Sequence, residues 1–165
     1  MPKVITKEAE ALIGVETSPV NTEVERHDIQ RFALAVAWPN KPNPMYYNEE
    51  HGKKSRFGSI ITPPTFATSL KWMGEVLEKV TPTMGSYRVG MNGGNEYEFY
   101  TPIKPGDTLT GRGKLASAKE SPRDDGGAML ILALEGNFVN QRGEKVLTAR
   151  QTLLRMYGPD QVLND

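Results

Sequence analysis

Chemistry near neutral pH needs a side chain that exchanges a proton there, and the two histidines of this sequence are the natural candidates. His51 directly follows Glu49 and Glu50, and a carboxylate beside an imidazole is a pairing that moves protons at that pH. The same run also fits an ordinary solvated stretch of charge. Cysteine is absent, which removes thiolate nucleophiles, disulfides and zinc–thiolate sites together. Lys53, Lys54 and Arg56 form a small basic cluster suited to phosphate. Trp38, Tyr46, Tyr47 and Trp72 offer aromatic walls for a bulky apolar ligand, although core packing accounts equally well for Trp72. The glycines around Met91 and Asn92 are followed by no strand-to-helix step and no trailing lysine, so they read as a tight turn rather than a phosphate cradle.

These residues must be held by elements whose periodicity is readable. Residues 8–13 fit one helical turn and 20–25 a short half-buried strand. Over 27–37, Ile29, Phe32, Ala33 and Val36 recur at helical spacing until Pro39 ends the helix. Residues 39–64 are rich in Pro, Asn, Gly and charge, an irregular connection long enough to be functional. A second helix spans about Thr65–Val80, with Thr65 as its cap and Phe66, Leu70, Met73, Leu77 and Val80 on its buried face. Strand-like segments follow at 87–91, 95–100, 108–119, 128–139 and 145–156, separated by glycine-bearing turns. The fold class is therefore α+β, an antiparallel sheet wrapped around one long helix, with Arg150 and Arg155 on opposite faces of the sheet.

At 165 residues with no composition shift, the chain is expected to form one domain over residues 1–165. Lys plus Arg and Asp plus Glu both number 20, so no one-signed surface recommends a nucleic-acid partner. Residues 1–14 lack the apolar run of a signal peptide, and no later stretch approaches membrane-spanning length. A soluble, cytoplasmic protein with no membrane partner is expected.

Asn43-Pro44-Met45-Tyr46-Tyr47, the run from Arg56 through Thr62-Pro63-Pro64 to Phe66, and Glu96-Tyr97-Glu98-Phe99-Tyr100-Thr101-Pro102-Ile103-Lys104-Pro105-Gly106-Asp107 together resemble MaoC-like hydratases and dehydratases. The likeness is to the amino-terminal, non-catalytic type of hot-dog domain in that family. Catalytic members carry a DxNPxH pattern whose Asp and His act on a thioester-bound acyl chain. Laid on that pattern, Asn43 and Pro44 match, but Lys41 stands for the Asp and Tyr46 for the His. The glycine whose amide holds the thioester oxygen is replaced by Pro64, which has no N–H to donate. Single oxyanion donors contribute roughly 3 kcal/mol where measured.

The resemblance implies a subunit of an enoyl-thioester hydratase or 3-hydroxyacyl-thioester dehydratase. Its partner would be a catalytic MaoC-like hot-dog subunit, as a heterodimer or heterotetramer, and otherwise a second copy in a homodimer. No cofactor or metal is implied, the substrate arriving on coenzyme A or acyl carrier protein. Trp38, Asn43, Tyr46, Tyr47, Phe57, Thr65 and Trp72 are the expected substrate wall, and Lys53, Lys54 and Arg56 the expected contacts to the carrier's phosphates. Two alternatives stay open. One is a self-sufficient homodimeric hydratase or thioesterase using Tyr46, Glu49 or His51; the other is an acyl-coenzyme A or acyl-carrier binding module without turnover.

Overall fold

A computed structural model describes residues 3–161. Helix α1 (Lys7–Ala11) and strand β1 (Val20–Glu23) precede α2 (Arg26–Ala37) and α3 (Glu49–Lys54). Helix α4 (Gly74–Val80) leads into β2 (Val89–Phe99), β3 (Thr108–Pro122), β4 (Ala128–Val139) and β5 (Lys145–Tyr157). The five strands form one antiparallel sheet in the order β1-β3-β4-β5-β2. β3, β4 and β5 are a meander, as the turn residues predict. Gly126 and Gly143 supply φ of 81° and 76° at its two hairpins, where a Cβ would be strained.

Alternation makes the sheet two-faced. Leu130, Leu132, Leu134 and Phe138 of β4 are buried against the helical segments, whereas Met129, Ile131 and Glu135 lie on the other face. Arg155 is buried on the helix side and Arg150 lies on the outer face, opposite each other as expected. α2 buries Ile29 and Ala33 and sets Phe32 edge-on to Phe66 at 5.4 Å. Val36, expected on that inner stripe, is instead 57% exposed.

The long helix expected over Thr65–Val80 is present as two pieces. A 3-10 helix covers Pro64–Ser69, Leu70 turns extended with ψ 134°, and α4 begins only at Gly74. Two hydroxyls explain the break: Thr68 Oγ1 donates to Thr65 O at 2.8 Å and Ser69 Oγ to Phe66 O at 2.7 Å, taking carbonyls the next α-helical turn would use. Pro63, not Thr65, occupies the cap position, and no side chain caps the helix. The interruption lets Trp72, 6% exposed, drop onto the sheet above Gly113 and Gly136. A Cβ on Gly136 would lie 2.6 Å from the Trp72 ring, so glycine there is a condition of that packing.

Two other expectations are corrected. The glycines at 90–94 do not separate two strands; they make a bulge between Asn92 and Gly94 inside the continuous β2. The irregular segment 39–64 also contains structure, a 3-10 turn at Pro44–Tyr46 and the helix α3. Among the described residues, no helix is long and apolar enough to cross a membrane.

Candidate functional site

Asn43 closes the first piece of the site. Its Oδ1 accepts the Met45 N–H at 2.9 Å and its carbonyl the Tyr46 N–H at 3.0 Å, while Pro44 contributes a preset φ. The Asn-Pro pair thus builds the turn that presents Tyr46. Asn48 starts α3 by accepting the His51 N–H at 3.0 Å. Gly52 then lets that helix lie directly on the backbone of Ile60, where a Cβ would come within 2.4 Å of the Ile60 nitrogen.

Backbone bonds stitch three distant stretches together. Ile61 N donates to Met45 O at 3.2 Å, and Thr62 N donates to Ile103 O at 3.0 Å. Between them opens a cleft of about 270 Å³, walled by Tyr46 on one side, by Ile61, Thr62 and Pro64 on a second, and by the stretch from Phe99 to Ile103 on a third. The wall is mostly apolar, and its side-chain polar groups are hydroxyls: Tyr46, Thr62, Tyr100 and Thr101. At its edge Lys145 Nζ lies 4.2 Å above the Tyr100 ring and 3.1 Å from its hydroxyl.

Two of the three residues singled out as lost functions therefore meet in one cleft, Tyr46 and Pro64. Pro63 and Pro64 remove two N–H groups from the start of the 3-10 helix, and the Phe66 N–H is already given to Pro63 O at 2.9 Å. Lys41 is exposed on the connection from α2 and does not line the cleft. Among the described residues, no histidine or carboxylate lines it either.

The other expected residues scatter. His51 is exposed on α3, away from the cleft wall. Glu49 pairs with Arg26 at 3.5 Å rather than with that imidazole. Trp72 is a core residue, a correction to its place in the substrate wall. Trp38 is 83% exposed at the end of α2, and Tyr47 and Thr65 are exposed outside the cleft. Phe57 lies beneath the Arg56 guanidinium at 4.7 Å, with its carbonyl taken by Lys104 Nζ. Lys53 is closed on Glu50 at 2.9 Å, a hydrogen bond that raises its pKa, so the basic cluster is partly neutralised from within. Sequence reasoning missed Ile61, Thr62 and the Phe99–Ile103 wall as site residues. They join the site only through the pairing of 61–62 with 45 and 103, which no local pattern announces.

The family described as "FAS1-like, dehydratase domain region" matches residues 11–149. A relative named "UPF0336 protein" from Streptomyces avermitilis is 30% identical over 144 residues, covering 85% of this chain and 89% of that protein. The complex HadBC, a 3R-hydroxyacyl-ACP dehydratase of Mycobacterium tuberculosis, contains a similar chain. Its TM-score is 0.67 at 23% identity, over 87% of this chain and 96% of that one. A MaoC-like dehydratase from Rhodospirillum rubrum gives 0.60 at 21% identity, over 89% and 94%.

Proposed function

The chain belongs to the FAS1-like dehydratase-region family, with the MaoC-like hot-dog fold, and we propose that it is the non-catalytic half of an acyl-thioester hydratase or dehydratase. It supplies tunnel wall and stability, and a second hot-dog subunit supplies the Asp, the His and the oxyanion donors. The observation that carries this reading is the composition of the Tyr46–Pro64 cleft. It has the place and shape for an acyl chain but offers hydroxyls where proton transfer at pH 7 needs an imidazole or a desolvated carboxylate. A phenol starts with a pKa near 10 and is a poor general base there.

The sheet edges support a partner. β1 is only four residues long, and Ile13 and Glu16 touch the β3 edge beyond it at Leu115 and Lys114. β2 is an 11-residue edge, exposed along nearly all its length, with Tyr97 and Phe99 on the helix-side face. Long open edges of this kind are normally blunted or covered. A second sheet continuing across β2 would cover those rings and seat its own site beside the cleft. That a similar chain occurs in a dehydratase complex supports the same arrangement. The acyl group would arrive on coenzyme A or a carrier protein, with Lys54 and Arg56 left to meet its phosphates.

The test is reconstitution. The purified chain alone should hydrate crotonyl-coenzyme A no faster than buffer, and addition of a DxNPxH hot-dog partner should bring activity. Turnover by the lone chain would overturn the reading. Tight acyl-coenzyme A binding with no turnover in any pairing would replace it with a carrier-binding module.

A further inference from the structure

A second cleft, of about 370 Å³, lies roughly 25–30 Å away along β2, counting strand residues from Phe99 back to Gly90. Arg155 of β5 is part of its wall and is only 5% exposed. Its Nη2 donates to Thr81 Oγ1 at 2.9 Å, its Nη1 to the Met84 sulfur at 3.6 Å, and its guanidinium lies 4.7 Å from the centre of the Tyr87 ring. A hydroxyl, a thioether and an aromatic ring are all neutral. Among the described residues, no ion pair includes Arg155 and no Asp or Glu stands in the cleft wall. A guanidinium cannot shed its proton to escape this cost, as a buried lysine would.

The donors are also only partly used. Thr81 and Met84 engage one N–H each on Nη2 and Nη1 of the five that a guanidinium presents, and the Tyr157 hydroxyl is a further hydrogen-bonding neighbour. Nε has no such bond, and no wholly buried side-chain nitrogen or oxygen among the described residues lacks a partner, so Nε is not wholly buried, and Arg155 stands in the cleft wall. Asn92 stands in the same wall with its Oδ1 already accepting the Gly94 N–H at 3.0 Å, which leaves its NH2 to donate. Tyr87 is held in place because Gly90 has no side chain; a Cβ there would be 2.9 Å from the ring. Leu77 and Leu153 supply an apolar flank.

We propose that this cleft binds an organic anion, with its carboxylate or phosphate oxygens on Arg155 and Asn92 and its apolar part against Leu77 and Leu153. The planar fork of arginine fits either two-oxygen group bidentately. This site is independent of whether the chain is catalytic, because its test reads binding rather than turnover.

Titration calorimetry of the whole chain with hexanoate, hexyl phosphate and inorganic phosphate tests it. Either hexyl probe should bind, and which of them binds assigns the carboxylate or the phosphate. Arg155→Met should weaken that binding roughly 10- to 100-fold, as loss of charged hydrogen bonds does. Asn92→Asp is a second variant that keeps the Gly94 contact. It places a carboxylate beside Arg155, so it should raise the melting temperature and abolish probe binding, and it decides the matter if Arg155→Met does not fold. No binding of either hexyl probe to the unaltered chain, or undiminished binding to Asn92→Asp, would overturn the site.

Discussion

Tyr46 and Pro64 line the same cleft, and the proposed non-catalytic role has measurable consequences there. Removing a true general acid or base costs about 10²- to 10⁴-fold in rate. In a reconstituted pair, Tyr46→Phe and His51→Ala should therefore leave kcat within about twofold, since neither side chain transfers a proton in this account. A loss of a hundredfold for either would make that residue catalytic. Ile61→Trp, by contrast, fills part of a cleft of about 270 Å³ and should raise KM for long acyl thioesters more than for crotonyl thioester. Steady-state kinetics on a chain-length series reads this directly. At this scale the substitutions Lys41, Tyr46 and Pro64 were legible in the sequence as departures from a motif. That Lys41 stays outside the cleft while Tyr46 and Pro64 meet in it required the fold.

Among the elements, the outer face of the sheet carries a row of alternating charge: Lys114 to Glu135 at 3.2 Å, Glu135 to Arg150 at 3.2 Å, and Arg150 to Glu96 at 2.6 Å. Burial pushes the Glu135 carboxyl up, but hydrogen bonds from Lys114, Asn137 and Arg150 outweigh it and leave its pKa below the usual value. An acid held low in the folded state stabilises above its unfolded pKa, near 4.3, and loses that contribution as pH falls through the lower folded value. Glu135→Gln should thus destabilise by about 0.5–1 kcal/mol at pH 7 and by much less at pH 3, read from urea melts. Gly136→Ala should cost about 1–3 kcal/mol at either pH, because its Cβ would meet the Trp72 ring at 2.6 Å. Strands β3 to β5 were legible because their alternation and turn glycines are local signals. The central helix was overread as continuous because apolar spacing from Phe66 to Val80 persists through a break made by Thr68 and Ser69 hydroxyls. The continuity of β2 is not a local signal, because glycines such as Gly93 and Gly94 suit a turn and a bulge equally until a partner strand is known.

For the whole molecule, the proposed function rests on assembly, and β2 is the long open edge at which a second sheet would continue this one. Tyr97 sits on the helix-side face of that edge, 6.5 Å from Phe99 between ring centres, where a continuing sheet would cover it. Tyr97→Lys should leave the circular dichroism of the lone chain unchanged and abolish co-purification with the catalytic partner; retained pairing would place the interface elsewhere. The most direct test of the central claim disables the dyad in the partner half of the reconstituted pair. Replacing the partner's motif histidine by alanine while leaving this chain intact should reduce crotonyl-coenzyme A hydration to the uncatalysed rate. Hydration that survives that replacement, at a rate set by this chain's concentration, would contradict the account and make this subunit the catalyst.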